Sequence, residues 1–235
     1  MQELWSQLFR VMDDFHEGTR LAAEGTARTF SKICIVASSS QQGKSGQRVA
    51  SSILPILLST GVTHTVAEVR NLCIKTISDM IDTSGELLIP HMPELVPCFL
   101  RATGELEVSK LSYLSTRLGA EAETQELVDT MRAEAAKQHY TMETLNKCIR
   151  HIDYNSFTVM TPTILDIMKT YVNLGTKIAC AHFICLVSIK LGKEMQPLIG
   201  KYMHGSFGQL KDRNPTVRKY YATTIGHLVG LAKVN

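Results

Sequence analysis

The same amphipathic helix pattern occurs twice in this chain. "TVAEVRNLCIKTISDMI" begins at Thr65, and "DRNPTVRKYYATTIGHLVGLAK" begins at Asp212. When the copies are aligned at a shift of 148 positions, seven positions correspond. In the first copy they are Val69, Arg70, Cys73, Thr76, Ile77, Met80 and Ile81, and in the second they are Val217, Arg218, Tyr221, Thr224, Ile225, Leu228 and Val229, in the same order. Their spacing follows one face of a 3.6-residue helix. One chain therefore contains at least two equivalent helices.

Both copies carry a helix start signal. Asn214 followed by Pro215 predicts an N-cap with proline in the first turn, where its missing N–H is not needed. Thr65 with Glu68 three residues later predicts a capping box.

Two further copies extend the pattern. Lys177 and Arg20 occupy the position of Arg70 and Arg218, and apolar residues at helical spacing follow each of them. An apolar helix precedes every copy, so the repeating unit is helix, short turn, helix. Units of about 40 residues that cannot bury their own apolar faces are typical of HEAT or armadillo repeats. We therefore predict an all-α fold, an α-solenoid of about five helical hairpins plus an extra helix.

We expect residues 1–235 to form a single repeat array. The first residues already follow a helical pattern, which suggests that Met1 lies at a fragment boundary. Two segments interrupt the repeat: residues 37–48 are predicted to form a polar loop, and residues 119–138 an acidic insertion. Between them, a first helix over 91–103 and a less regular second helix over 105–118 are expected, and a short helix over 142–152 follows.

Composition narrows the function classes. The chain is 44% hydrophobic and 20% charged, which argues against general disorder. Lys and Arg exceed Asp and Glu by only 25 to 22, and no basic cluster predicts a nucleic-acid site. Neither a secretory leader nor an apolar run of about 20 residues is evident, so direct membrane insertion is not expected. The six dispersed cysteines indicate reduced thiols in the cytosol or nucleus.

One loop resembles a phosphate-binding motif. Gly43, Lys44 and Ser45 match the end of a Walker loop, in which backbone N–H groups and a lysine bind phosphate. The first glycine of that motif is replaced by Ser38, and no strand pattern surrounds it. A flexible polar loop is the favoured interpretation, with a nucleotide-dependent enzyme around Lys44 as the least favoured function.

No pattern predicts a catalytic, cofactor or metal site. Cys180, His182 and Cys185 cannot share a ligand shell on one helix, and Cys148 with His151 supplies only two ligands. The neighbouring carboxylates Asp13, Asp14 and Glu17 are better explained by a helix start. The eight histidines are scattered, and none lies in a nucleophile motif.

Charged residues recur at the turn inside each unit. They are Asp13, Arg20, Arg70, Lys177, Asp212 and Arg218. We predict that they form a structural ladder of ion pairs and hydrogen bonds between neighbouring repeats. The alternative is a basic strip for an acidic partner, which the balanced total charge disfavours.

Three blocks resemble a known family. "LWSQLFRVMDDFHEGTRLAAEGT", "METLNKCIRHIDYNSFTVMTPTILDIMK" and the block beginning at Asp212 are similar to the carboxy-terminal region of the proteasome adaptor and scaffold protein family, whose members are HEAT-repeat proteins. The resemblance covers nearly the whole chain, and the first block is its most specific part. It carries no partner-binding residue over to this sequence.

The resemblance implies a function that the periodicity alone does not. It implies a non-enzymatic scaffold that binds regulatory-particle and core-particle subunits of the proteasome and supports proteasome assembly, quality control and ubiquitin-dependent protein breakdown. It also implies a location in cytoplasm and nucleus, with links to endoplasmic reticulum (including its protein degradation), endosomes and motor adaptors. The alternative is a HEAT-repeat adaptor of another system, such as a nuclear transport receptor or a phosphatase scaffold.

Overall fold

The computed structural model describes residues 1–103 and 140–232, and within these ranges the regular structure is entirely helical. The α-helices, in chain order, are α1 (Gln2–Met12), α2 (Glu17–Ala37), α3 (Gly43–Ile56), α4 (Ala67–Ser84), α5 (92–103), α6 (Tyr140–Ile149), α7 (Tyr154–Thr170), α8 (Leu174–Leu191), α9 (Gln196–Gln209) and α10 (Pro215–Leu231). Short 3-10 or π segments join several of them. The all-α prediction is therefore confirmed.

Helices pack as hairpins, and the hairpins pack on one another like for like. The described pairs are α1 with α2, α7 with α8, and α9 with α10, while α3 meets α4 through the π turn at Leu57–Gly61. First helices contact first helices (α1 with α3, α7 with α9), and second helices contact second helices (α2 with α4, α8 with α10). This two-layer arrangement confirms the HEAT-repeat class.

The chain forms two compact units, Met1–Leu95 and Val96–Asn235. In the first unit, Trp5 is fully buried, with its ring 5.5 Å from that of Phe9 and 5.1 Å from that of Phe30. In the second, Tyr202 stacks on Phe157 with ring centres 5.2 Å apart and donates a hydrogen bond to Thr161. Each unit thus has its own aromatic centre, built from neighbouring helices.

The start of α10 is as predicted, but the start of α4 is not. Asn214 caps α10 by accepting a hydrogen bond from the Thr216 N–H at 2.8 Å, and Pro215 is the first helical residue. The capping box of Thr65 with Glu68 is wrong, because Val66 is the N-cap and its side chain makes no cap bond. The imidazole of His64 accepts the N–H of Val66, the N-cap residue itself, so this bond closes the turn before α4.

The predicted polar loop at 37–48 is much shorter in the structure. Helix α2 continues to Ala37, and α3 already begins at Gly43, which has a φ of +51°. Gly46 lies inside α3, where a Cβ atom would be 2.6 Å from the carbonyl oxygen of Ser39. Glycine at 46 therefore permits close backbone packing, and the composition that indicated flexibility in fact allows a tight helix junction.

Two predicted segments fall outside the described residues: the acidic insertion at 119–138 and the second helix at 105–118. The first helix expected over 91–103 is present as α5, and the short helix expected over 142–152 is present as α6.

One stretch, Leu174–Gln209, has the length and hydropathy of a membrane-crossing helix, contrary to the expectation from sequence. It includes α8, a 3-10 segment and α9, and 67% of its most apolar window is buried inside the protein. Contacts of α8 with α6, α7 and α10 cover its apolar surface. Such burial is characteristic of a core helix.

Candidate interaction surface

Three arginines close the turns between first and second helices in the same way. In each case Nη1 donates to the carbonyl oxygens six and five residues earlier. The bonds join Arg20 to Asp14 and Phe15 (both 2.9 Å), Arg70 to His64 and Thr65 (2.6 and 2.7 Å), and Arg218 to Asp212 and Arg213 (2.8 and 2.9 Å). Turn carbonyls cannot find partners inside a helix, so a charged donor stabilises them. These arginines bind within their own hairpin.

The residue six positions before each arginine caps the same turn from the other side. Oδ1 of Asp14 accepts the N–H of the second following residue at 2.8 Å, Nδ1 of His64 does so at 3.1 Å, and Oδ1 of Asp212 at 2.9 Å. The equivalent of Asp212 in the first hairpin is therefore Asp14. Asp13, the residue named from the sequence, is exposed. Counting six positions back from Arg20, the spacing between Asp212 and Arg218, would have identified Asp14.

Lys177 and Asp212 are the two predicted ladder residues that the structure brings together. Their side chains form a hydrogen-bonded ion pair between α8 and the turn that precedes α10. Both are mostly buried, with exposed side-chain fractions of 15% and 13%. Because they belong to consecutive hairpins, this pair links one repeat to the next. Arg20, Arg70 and Arg218 hold turns, as described above.

The environment of Asp212 lowers its pKa. Burial is the largest influence and acts to raise the pKa, but hydrogen bonds from Lys177 and the Asn214 N–H, together with the charges of Lys177 and Arg218, lower it below its ordinary value. A carboxyl group with a lowered pKa in the folded state stabilises the fold when it is ionised. That stabilisation is complete above about pH 5 and is lost as the pH falls through the pKa of the folded state.

We expect Asp212→Asn to reduce the free energy of unfolding by about 1–2 kcal/mol at pH 7, because it leaves the Lys177 ammonium mostly buried without its counter-charge. Urea titrations from pH 7 to pH 3 should show the difference from wild type shrinking below about pH 4. Asp79→Asn is the control, since its pair with Lys75 is an exposed one within α4. A difference that stays constant with pH would contradict the assignment.

Buried threonines provide a second link between repeats. Thr76 and Thr224, which are fully buried, occupy matching positions in α4 and α10. Oγ1 of Thr76 lies 2.7 Å from Oγ of Ser31 in α2. The single hydroxyl proton of Thr224 is shared between the Tyr220 carbonyl of its own helix at 3.0 Å and the Ala181 carbonyl of α8 at 3.1 Å, and Oγ1 accepts from the Cys185 thiol at 3.3 Å. The sequence signal was the recurrence of a polar residue within an apolar face.

Thr224→Val is expected to lower the free energy of unfolding by about 1–2 kcal/mol, because the isosteric side chain removes the donor to Ala181 and leaves the Cys185 thiol without its acceptor. Thermal and urea unfolding followed by circular dichroism measure this change. The adjacent Thr223→Val is a matched control, since Thr223 is exposed and bonds only to the Lys219 carbonyl of its own helix; it should change stability by less than about 0.5 kcal/mol. Equal losses in the two variants would exclude an inter-repeat role for Thr224.

Several backbone N–H groups in the loop before Lys44 are already hydrogen-bonded within the loop and α2. The N–H groups of Ser38, Ser39 and Gln42 donate to Cys34, Val36 and Ser39 carbonyls. The segment that leads into the loop is helix α2, whereas a phosphate-binding Walker loop follows a strand. Lys44 is exposed in the first turn of α3. This geometry does not provide a nucleotide cradle.

Two of the candidate metal ligands are core residues. Cys148 and Cys180 are fully buried, and burial raises the pKa of each thiol to about 12, which disfavours the thiolate that metals require. The Cys185 thiol donates a hydrogen bond to Thr224. Within residues 1–103 and 140–232, no group of three or more His, Cys, Asp or Glu side chains could hold a metal ion.

An acidic groove lies between the two turns of the first unit. It has a volume of about 520 Å³ and is lined chiefly by the carboxylates of Asp13, Asp14, Glu17, Glu24 and Glu68. The guanidinium of Arg20 also lines it but donates to turn carbonyls. Most of these carboxylates are exposed, and none of their pairs is enclosed in the manner of a catalytic dyad. The groove is a charged surface feature.

Comparison with known proteins gives consistent matches. A family model described as the HEAT-repeat domain of the proteasome adapter and scaffold protein ECM29 matches residues 88–235. The Drosophila melanogaster proteasome-associated protein ECM29 homolog is 66% identical over 99% of this chain and 12% of its own length. Human proteasome adapter and scaffold protein ECM29 is 37% identical over 97% and 12%. The proteasome component ecm29 of Schizosaccharomyces pombe is 27% identical over 97% and 14%. The chain thus spans about an eighth of these relatives.

Proposed function

Because the chain belongs to the HEAT-repeat family of the proteasome adapter and scaffold protein ECM29, we propose that it is a non-enzymatic segment of a scaffold that binds the proteasome. The single observation that carries this proposal is the family match over residues 88–235. The names of the relatives supply the partner, and the described geometry is compatible with it, since buried helix contacts leave long surfaces of turns and helices for other proteins.

The finer role is also part of the proposal. The segment contributes to bridging or stabilising regulatory and core particles, and through this to proteasome assembly, quality control and protein breakdown. We place it in the cytoplasm and nucleus, with links to endoplasmic reticulum, endosomes and motor adaptors. Each of these functions is that of the longer scaffold, to which this segment contributes surface.

We infer that the turns carry part of the contact. Phe15 is 92% exposed and Val172 is 86% exposed, and both precede the cation of their hairpin by five positions. Large apolar side chains held this far out of the core on arginine-closed or capped turns lose little entropy on binding, because the backbone beneath them is already fixed. An apolar turn side chain is thus available in each unit.

The test is capture of purified particles. The immobilised chain is incubated separately with proteasome core particle, regulatory particle and their complex, and bound subunits are quantified. Binding of at least one of these particles is expected, with a transport GTPase and a phosphatase catalytic subunit left unbound. Capture of either of the latter without any proteasome particle would favour the alternative adaptor function and overturn the proposal.

Two variants locate the contact. Phe15→Ala and Val172→Ala remove exposed side chains, so both should fold as wild type, and at least one should weaken capture about tenfold, as loss of a buried anchor does. Val159→Ala, exposed on α7 at 65%, is the matched control. Wild-type capture by both turn variants would exclude the turns as the contact and leave proteasome binding itself intact.

A nucleotide-dependent enzyme remains the functional alternative of another class. ATP or GTP should leave the melting temperature of wild type unchanged, because the segment before Lys44 is helical, whereas a phosphate-binding Walker loop follows a strand. A rise that Lys44→Ala abolishes would overturn the non-enzymatic assignment.

A further inference from the structure

Two consecutive hairpins of the second unit turn at the same edge of that unit. The turn between α7 and α8 covers residues 171–173, and the turn between α9 and α10 covers 210–214. Two contacts hold these turns side by side: Nε2 of Gln209 donates to the Met168 carbonyl at 2.6 Å, and Lys177 pairs with Asp212. We call the exposed residues of this surface the basic turn edge: Lys169, Val172, Lys211 and Arg213.

The cations of the basic turn edge have no counter-charge in the part of the chain that the structure describes. Lys169, Lys211 and Arg213 are exposed, and their side chains form no ion pair there. The carboxylate of Asp212, in the same turn as Lys211, is already paired with Lys177. Asp166 lies on α7 three positions before Lys169 but forms no ion pair with it. Three positive charges are therefore available to a partner.

Helix ends add to the positive potential of this edge. Both second helices, α8 and α10, begin here, and a helix N-terminus carries roughly half a positive charge. Neither helix has an acidic residue in its first turn, and their caps are the neutral side chains of Asn173 and Asn214. In the first unit, by contrast, α2 has Glu17 and α4 has Glu68 in the first turn. Acids therefore offset the helix ends of the first unit and not those of the second.

Val172 gives the basic turn edge an apolar member. It is 86% exposed, and the neighbouring Asn173 fixes the turn by accepting the Thr176 N–H at 3.1 Å. A phosphate backbone offers no apolar group to cover such a side chain, whereas a peptide can offer one beside its carboxylates. Three cations are also few for a nucleic-acid surface, on which about six to ten phosphates are commonly neutralised. The charge and the apolar side chain together favour a protein partner.

We propose that the basic turn edge binds an acidic segment of a partner protein, a short run of Asp and Glu with one large apolar residue among them. The carboxylates pair with Lys169, Lys211 and Arg213, and the apolar side chain covers Val172. This inference deepens the proposed function and rests on it for the identity of the partner, because Val172 is one of the turn residues assigned above to the contact. Opposite charges at exposed positions give specificity and fast association, and salt weakens them.

Fluorescence anisotropy with a labelled peptide tests the proposal. The probe is a short peptide of Asp and Glu with a single central Leu, and wild type should bind it saturably and more weakly as salt rises. Lys169→Glu combined with Lys211→Glu should weaken binding at least about tenfold, because like charges then face each other. Lys193→Glu combined with Lys201→Glu is the control, since it changes the net charge equally at exposed positions outside the edge. This control should bind the peptide as wild type does.

The apolar contact is tested by a double-mutant cycle. Replacing the peptide Leu with Ser should weaken binding to wild type and have little further effect on Val172→Ala, because both changes remove the same contact. Additive losses would contradict this contact. Absence of saturable binding, equal losses in the two charge-reversed proteins, or equally tight binding of single-stranded DNA of the same charge would overturn the proposal.

The peptide measurement uses no proteasome, so it separates this inference from the proposed function. Peptide binding that fails while particle capture persists overturns this inference alone. Peptide binding that persists while particle capture fails overturns the proteasome assignment alone. If circular dichroism shows that the double charge reversal has lost helix, Arg213→Glu replaces it, with Lys201→Glu as its matched control.

Discussion

Leu228→Asp should lower the free energy of unfolding of the second unit by about 3–5 kcal/mol. Leu228 is fully buried on the face of α10 that includes Val217 and Tyr221, and α10 packs on α8 and α9 there. A carboxylate at this position would be buried without a partner or would have to become protonated, and either alternative costs folding free energy. Thermal and urea unfolding followed by circular dichroism measure the loss.

The neighbouring residue supplies the control for this experiment. Val229 follows Leu228 directly but is 55% exposed, so Val229→Asp keeps its charge in water and should change stability by less than about 0.5 kcal/mol. Similar destabilisation by both variants would show that α10 is not oriented as described.

Gly61→Ala should destabilise the first unit by about 2–3 kcal/mol, although it adds only a methyl group. Gly61 ends the π turn before α4, and a Cβ atom there would be 2.4 Å from Cys73 Sγ and 3.2 Å from Phe9 Cζ. Such contacts force the turn or α4 to shift, because both neighbours are buried. Trp5, the single tryptophan of the chain, is buried in this unit, so its fluorescence reports the unfolding transition directly.

The matched control for Gly61→Ala is a glycine substitution that is expected to raise the free energy of unfolding. Gly25 lies within α2, is exposed, and has no atom within 4 Å of where a Cβ would be placed. Gly25→Ala should therefore stabilise the unit by up to about 0.5–1 kcal/mol through helix propensity. A Gly61→Ala protein as stable as wild type would mean that the turn is looser than the structure shows.

Helix spacing made the fold predictable, because burial selects apolar residues at the period of the helix and the repeats reuse one interface. The aligned positions Val69 and Val217 are both buried, as are Cys73 and Tyr221. The match failed at Ile225, which is only partly buried where the aligned Ile77 is fully buried. Val229 is likewise 55% exposed where the aligned Ile81 is fully buried, because a sequence pattern does not reveal which side of a helix a neighbour covers.

The turns were harder to predict because several local partners compete for the same backbone groups. Thr65 was expected to cap α4, but the helix begins one residue later, and His64 accepts the N–H of the N-cap residue Val66. The arginines were expected to pair with acids of another repeat. They donate instead to backbone carbonyls five and six residues earlier in their own hairpin, as Arg70 does to Thr65 and His64. A charge pattern identifies a recurring cation, whereas its partner depends on turn geometry. Among the charged turn residues in the part of the chain that the structure describes, the ion pair of Lys177 with Asp212 alone joins two repeats.

A disulfide engineered between α8 and α10 tests most directly whether consecutive second helices pack on each other. Thr224→Cys places a thiol beside native Cys185, since the Thr224 hydroxyl is 3.3 Å from the Cys185 sulfur. Mild oxidation followed by peptide mapping should identify an intramolecular disulfide between positions 185 and 224, and Thr223→Cys, one residue away on the exposed side, should not form one. Absence of the 185–224 link, or its formation at equal rate from position 223, would contradict the stacked arrangement.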